Sequence, residues 1–113
     1  MLISVVETIP YLRDAERLLT EDERALLINS LAANPLQGVL IKGTGGLRKL
    51  RVGMSGRGKR GGGRVVYWFH SDGYPIVLLA VFAKNEASDL TAREQVLLGK
   101  MAEQLKSDFE RRK

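Results

Sequence analysis

Eight consecutive residues, Ile76 to Ala83, read Ile-Val-Leu-Leu-Ala-Val-Phe-Ala without a charge or a turn former. The run is far shorter than the roughly 20 apolar residues a membrane-spanning helix needs, and it has the length of a strand. Side chains of a strand alternate between two faces, so a run that is apolar at both parities is covered on both. It therefore predicts a central strand. Pro75 stands where a strand start tolerates a missing N–H, and Ser71-Asp72-Gly73-Tyr74 in front of it reads as a turn that leaves Tyr74 exposed.

The flanking segments supply the rest of the sheet and its cover. Leu2 to Val6 is short and β-branched, and predicts a first strand. Thr8 and Pro10 open a helix that carries Leu12, Ala15, Leu18 and Leu19 at helical spacing. Thr20 followed by Glu23 has the form of a capping box, and starts a second helix with Leu27, Ile28, Leu31 and Ala32 on one stripe. Asn34-Pro35 stops it. The period then changes. Val39 to Ile41 predicts a short edge strand, Gly43 to Gly46 a turn, Leu47 to Met54 a strand, and Arg64 to His70 another. Thr91 with Glu94 is a further capping box, opening a long helix with Leu97, Met101, Leu105 and Phe109 at steps of four. The reading is an α+β domain: an antiparallel sheet of three to four strands, packed on an N-terminal helical hairpin, with a C-terminal helix. A length of 113 residues suits a single domain over 1–113, and neither a repeat nor a linker divides it.

Charge is distributed unevenly. Net charge is +5, yet no Asp or Glu lies between Ala25 and Ser71, while Lys42, Arg48, Lys49, Arg51, Arg57, Lys59, Arg60 and Arg64 fall within that stretch. Such a segment suits a polyanion, or is a solvated basic loop. The absence of cysteine excludes disulfides, thiolate metal sites and a cysteine nucleophile, and a lone histidine excludes a histidine-rich metal site. No cofactor and no metal are expected. The N-terminus lacks a basic n-region and a cleavage-site pattern, so a cytoplasmic location away from membranes is expected.

Three strings resemble one known family in order along the chain. Gly43-Thr44-Gly45-Gly46-Leu47-Arg48-Lys49-Leu50-Arg51 resembles the start of the catalytic strand in HigB-like toxins. Gly61-Gly62-Gly63-Arg64-Val65-Val66-Tyr67 resembles their next strand start, and Phe82-Ala83-Lys84-Asn85-Glu86-Ala87-Ser88-Asp89-Leu90-Thr91 their exit from the apolar strand. With the order of elements, the chain resembles the RelE/ParE toxin superfamily, on its HigB-like branch. That resemblance implies a ribosome-dependent, metal-independent endoribonuclease that cuts translated mRNA. It also implies a cognate antitoxin of helix-turn-helix type, with operator DNA contacted only through the toxin–antitoxin complex. The alternatives are a ParE-like inhibitor of DNA gyrase without a nuclease site, or an inactive RNA-binding module.

The chemistry gives these residues work. RNA is cut without metal when its 2′-OH attacks the adjacent phosphate, which requires a proton acceptor, a proton donor and positive charge on the transition state. Lys49 and Arg51 share one strand face, while Leu50 and Val52 point to the core. If the strands are neighbours, Lys49, Arg51, Arg64 and Lys84 line one surface as the candidate catalytic set. The other reading of Lys49 and Arg51 is a solvated outer face. By resemblance, Lys49 and Arg51 replace two lysines of the type member and Arg64 aligns with a phosphate-binding arginine. Asn85 stands where that member has a cation, and Thr91 where it has a functional tyrosine. Arg48, Arg57, Lys59, Arg60 and Asn85 are the candidate RNA-binding residues. The Gly-rich segment Ser55 to Gly63 is either a clamp on RNA or a plain hairpin connection, since no helix follows it as a P-loop requires. His70 is expected at the far end of its strand from Arg64, in a surface or packing role. At least two of Tyr67, Trp68 and Phe69 are expected in the core.

Overall fold

The computed structural model describes residues 3–54, 62–87 and 89–112. Helix α1 (Ile9–Leu18) begins at the N-cap Thr8, whose hydroxyl accepts from the Tyr11 N–H. The same hydroxyl donates to the Leu78 carbonyl at 2.8 Å, so the cap also ties the helix to the sheet. Tyr11, Ala15 and Leu18 are buried at steps of four and three, a helical stripe in which Tyr11 takes the place expected of Leu12. Helix α2 (Glu21–Ala33) has the expected reciprocal capping box between Thr20 and Glu23, and ends at Asn34 before Pro35. Leu27, Leu31 and Ala32 are its buried residues.

The strands are β1 (Val5–Glu7), β2 (Val39–Leu40), β3 (Leu47–Val52), β4 (Gly63–Trp68) and β5 (Ile76–Ala83). Their order in one sheet is β1-β5-β4-β3-β2. The α+β class holds, with the sheet one strand larger than expected and mixed. β1 adds to the outer side of β5 in parallel, Val5 opposite Ile76 and Glu7 opposite Leu78. The crossover between those parallel strands needs more chain than a hairpin turn, and the helical hairpin lies within it. β5 has neighbours on both sides, as its apolar run demands. Its pairing with β4 skips Leu79, because Val66 opposes Ala80 while Tyr67 opposes Leu78.

The two faces of the sheet carry separate cores. Val65, Tyr67, Ile76, Leu78 and Ala83 pack with Tyr11, Leu18, Leu27 and Leu31 under the hairpin. Leu47, Val66, Trp68, Val77 and Leu79 pack with helix α3 (Ala92–Arg111). Two expectations change here. The residues α3 turns to the sheet are Leu98, Ala102, Leu105 and Phe109, whereas Leu97 and Met101 are exposed. Steps of four advance about 400° around a helix, so a stripe of four such residues drifts by about 120°. The observed steps of four, three and four hold one face. Tyr74 is buried rather than exposed, edge-on to Trp68 with centroids 5.9 Å apart. Tyr67, Trp68 and Phe69 are all core residues.

Tyr67 also fixes the chain between α2 and β2. Its hydroxyl donates to the Pro35 carbonyl at 2.7 Å and accepts from the Gly38 N–H at 2.9 Å. Tyr67→Phe is expected to cost about 1–3 kcal/mol, because it leaves the buried Gly38 N–H without its partner. A urea midpoint unchanged from wild type would show that water replaces the hydroxyl.

Candidate functional site

Strand register decides which cations meet. Arg51 and Arg64 are direct cross-strand partners in the β3–β4 pair, and Lys49 opposes Val66 one step of two further in. Opposed residues of an antiparallel pair share a face, with Cα atoms about 4.5–5.5 Å apart. Lys49, Arg51 and Arg64 therefore stand together on the face that α3 covers further along, where Leu47, Val66 and Trp68 are buried. Like charges placed opposite each other destabilise a sheet. An Arg–Arg pair at this position costs the fold something that an arriving anion would relieve.

The glycines ahead of Arg64 let the strands close at this end. Gly62 has φ +66°, and a Cβ there would come within 2.2 Å of the Val52 carbonyl oxygen. A side chain at that position would force β3 and β4 apart beneath the two arginines. A cleft of about 450 Å³ opens beside them, lined by Gln37, Val39, Lys49, Leu50, Arg51 and Arg64. β2 pairs only with the first half of β3, through Leu40–Arg48 and Val39–Lys49. The second half of β3 consequently keeps an open edge at the cleft. A second, apolar groove of about 430 Å³ adjoins it, walled by Leu26, Leu27, Leu50 and Val52.

Lys84 follows β5 directly, two residues beyond Phe82, the cross-strand partner of Arg64. Its N–H donates to the Gly62 carbonyl at 3.0 Å, and its side chain is exposed, next to exposed Asn85, without lining the cleft. This turn is held from below: Arg17 of α1 bonds the Glu86 carboxylate at 2.5 Å. Arg48 points elsewhere. Alternation places it on the hairpin face, where it donates to the Gly38 carbonyl at 2.8 Å and the Leu36 carbonyl at 3.3 Å. It braces the α2–β2 connection and is not brought to the Lys49 side. Arg57, Lys59 and Arg60 lie outside the described residues, as does most of the Gly-rich segment. His70 is exposed beyond the far end of β4, its ring centroid 4.4 Å from that of Tyr74. Thr91 is the N-cap of α3 and accepts from the Glu94 N–H.

One residue of this face was not singled out in the sequence. Asp89, in the connection from β5 to α3, sets its Oδ2 2.8 Å from Lys49 Nζ. Its Oδ1 accepts from the Leu90 N–H at 2.8 Å. Lys49 first, then that N–H, with a further contribution from the charge of Arg64, hold the carboxyl below the usual carboxylate range. Forty residues separate Asp89 from Lys49 in the chain, and no spacing rule connects them. Among the described residues, no three His, Asp or Glu side chains are grouped to hold a metal ion. Nor is any described helix long and apolar enough to cross a membrane.

Comparison with known proteins bears on this arrangement. Residues 28–112 match the family described as the RelE toxin of the RelE/RelB toxin–antitoxin system. The chain is also similar to the structure of a free-state Escherichia coli toxin RelE carrying two arginine-to-alanine substitutions. The TM-score is 0.60 at 15% identity, over 86% of this chain and 97% of that one. At that identity the likeness concerns the fold. The family match runs from the middle of α2 through β3, β4, β5 and α3, and so includes every element that carries the cationic face.

Proposed function

The chain belongs to the RelE toxin family of toxin–antitoxin systems, and from that premise we propose that it is a ribosome-dependent, metal-independent endoribonuclease of translated mRNA. Membership implies an antitoxin partner. On this reading the partner is of helix-turn-helix type, operator DNA is met only through the complex, and residues 1–113 act as one cytoplasmic toxin domain.

The observation that carries the reading is the cross-strand Arg51–Arg64 pair with Lys49 beside it. Two guanidinium forks and an ammonium on one face match the charge that develops on a phosphate attacked by its neighbouring 2′-oxygen. In that reaction the 2′-oxygen bonds to phosphorus and the bond to the 5′-oxygen breaks. The products are a 2′,3′-cyclic phosphate and a 5′-hydroxyl, with the 2′ proton removed and one delivered to the leaving oxygen. Arg51 and Arg64 hold the phosphoryl oxygens, while Lys49 and the exposed Lys84 flank them. A gyrase inhibitor has no use for phosphate ligands converging in this way.

The test is induction in bacteria followed by primer extension on an abundant message. New 5′ ends inside translated codons are expected, and they should disappear when ribosomes are kept off that message. Growth arrest with intact messages would replace the proposal with gyrase inhibition. A culture that grows normally would leave a binding module.

A further inference from the structure

Asp89 occupies the place on Lys49 that a phosphate must take. The pair is open to solvent, with side-chain exposures of 32% for Lys49 and 49% for Asp89. The carboxylate is not free to swing away without loss, because its other oxygen is bonded to the Leu90 N–H. It lies two residues ahead of the N-cap of α3, a helix anchored on the sheet through Leu98, Ala102, Leu105 and Phe109. An RNA phosphate arriving at Arg51 and Arg64 would have to take Lys49 from Asp89, and would then lie beside the released carboxylate. The exchange of one exposed ion pair for another yields little, and the like charge left behind opposes the newcomer.

Resting on the RNA-cleaving reading of this face, we propose that Asp89 is a specificity-determining residue: a resident anion that competes with RNA phosphate for Lys49. It weakens the grip of the cationic face on free RNA. Productive engagement is left to a message whose position is set from outside, as it is on a ribosome. The face keeps enough positive charge to stabilise a phosphate once it is placed, since Arg51 and Arg64 are cross-strand partners with no counterpart as close as the one on Lys49 among the described ion pairs.

The experiment measures binding of the full chain to a short 2′-O-methyl RNA oligonucleotide, which cannot be cleaved, without ribosomes and over a range of salt. Asp89→Asn keeps the side-chain shape and an oxygen for the Leu90 N–H while removing the charge. It is expected to bind about five- to twenty-fold tighter than wild type. Its log–log salt slope should steepen by about 0.7, the value for one additional phosphate contact on a single strand. Asp72→Asn, in the turn before β5, makes the same change in net charge far from the face and is expected to alter binding less than about twofold at moderate salt. Equal gains from both substitutions would overturn the proposal in favour of a general field effect. Loss of binding in Arg64→Ala with no gain in Asp89→Asn would overturn the role of Asp89 and leave the RNA-cleaving face standing. If Arg64→Ala, Lys49→Ala and Asp89→Asn all bind as wild type does, the face does not hold RNA, and the functional reading falls with the proposal.

Discussion

Arg64→Ala is expected to abolish toxicity and leave the protein folded. Arg64 is a half-buried residue at the start of β4, directly opposite Arg51. Its removal takes away one of two like charges forced together across the strands, so the sheet gains slightly or is unchanged. Any shift in thermal midpoint should stay within about 3 °C, in keeping with a substitution that breaks neither core nor cap. Loss of a positioned donor to transition-state charge lowers rates by about 10²–10³-fold. A toxin slowed that far should no longer arrest growth. Viable counts after induction, read beside a circular dichroism melt of the purified variant, check both halves. A folded Arg64→Ala protein that still kills would remove the cross-strand arginine pair from the site.

Trp68→Ala is expected to have the opposite signature: loss of function through loss of the fold. Trp68 is completely buried between the sheet and α3. Its ring stacks on Phe109 with centroids 6.2 Å apart and planes 10° from parallel, and meets Tyr74 edge-on. Its Nε1 donates to the Gly45 carbonyl at 3.2 Å, which fastens the glycine turn ahead of β3. Truncation removes the largest side chain of the α3-side core and should cost about 3–5 kcal/mol, a large part of the 5–15 kcal/mol typical of a whole domain. The thermal midpoint should fall by more than about 12 °C. Trp68→Phe keeps the stacking and loses the Nε1 bond, so it should cost much less, about 1–2 kcal/mol. If alanine and phenylalanine lowered the midpoint equally, the Gly45 bond rather than the aromatic packing would be what holds this face together.

The contrast between these two variants follows from where alternation puts each residue on β4. Arg64, Val66 and Trp68 share one face. Val66 and Trp68 are fully buried in the core that α3 closes, whereas Arg64 is half-buried and lines the cleft. One strand thus serves as core at Trp68 and, on the proposed reading, as a phosphate platform at Arg64.

Much of this was legible in the residues. Capping boxes at Thr20 and Thr91 and the Thr8–Pro10 start placed the three helices among the described residues, because an N-cap is a local bond between a side chain and N–H groups a few residues on. The eight-residue apolar run placed an interior strand. The alternation of Lys49 and Arg51 against Leu50 and Val52 placed two cations on one face. Less legible was the face of α3, where a stripe drawn at steps of four drifted off the sheet at Leu97 and Met101. The charge of Arg48 points to RNA, but strand alternation turns it to the hairpin side and onto backbone carbonyls.

What the sequence determined by itself, then, is whatever a few neighbouring residues decide: helix starts, strand faces, the apolar run and the acid-free basic stretch. The partnership of Arg51 with Arg64, the parallel docking of β1 on β5 and the seating of Asp89 on Lys49 were decided only by the tertiary structure. Each depends on strand register or on how α3 is anchored, and register is set by packing two whole faces at once rather than by any local pattern.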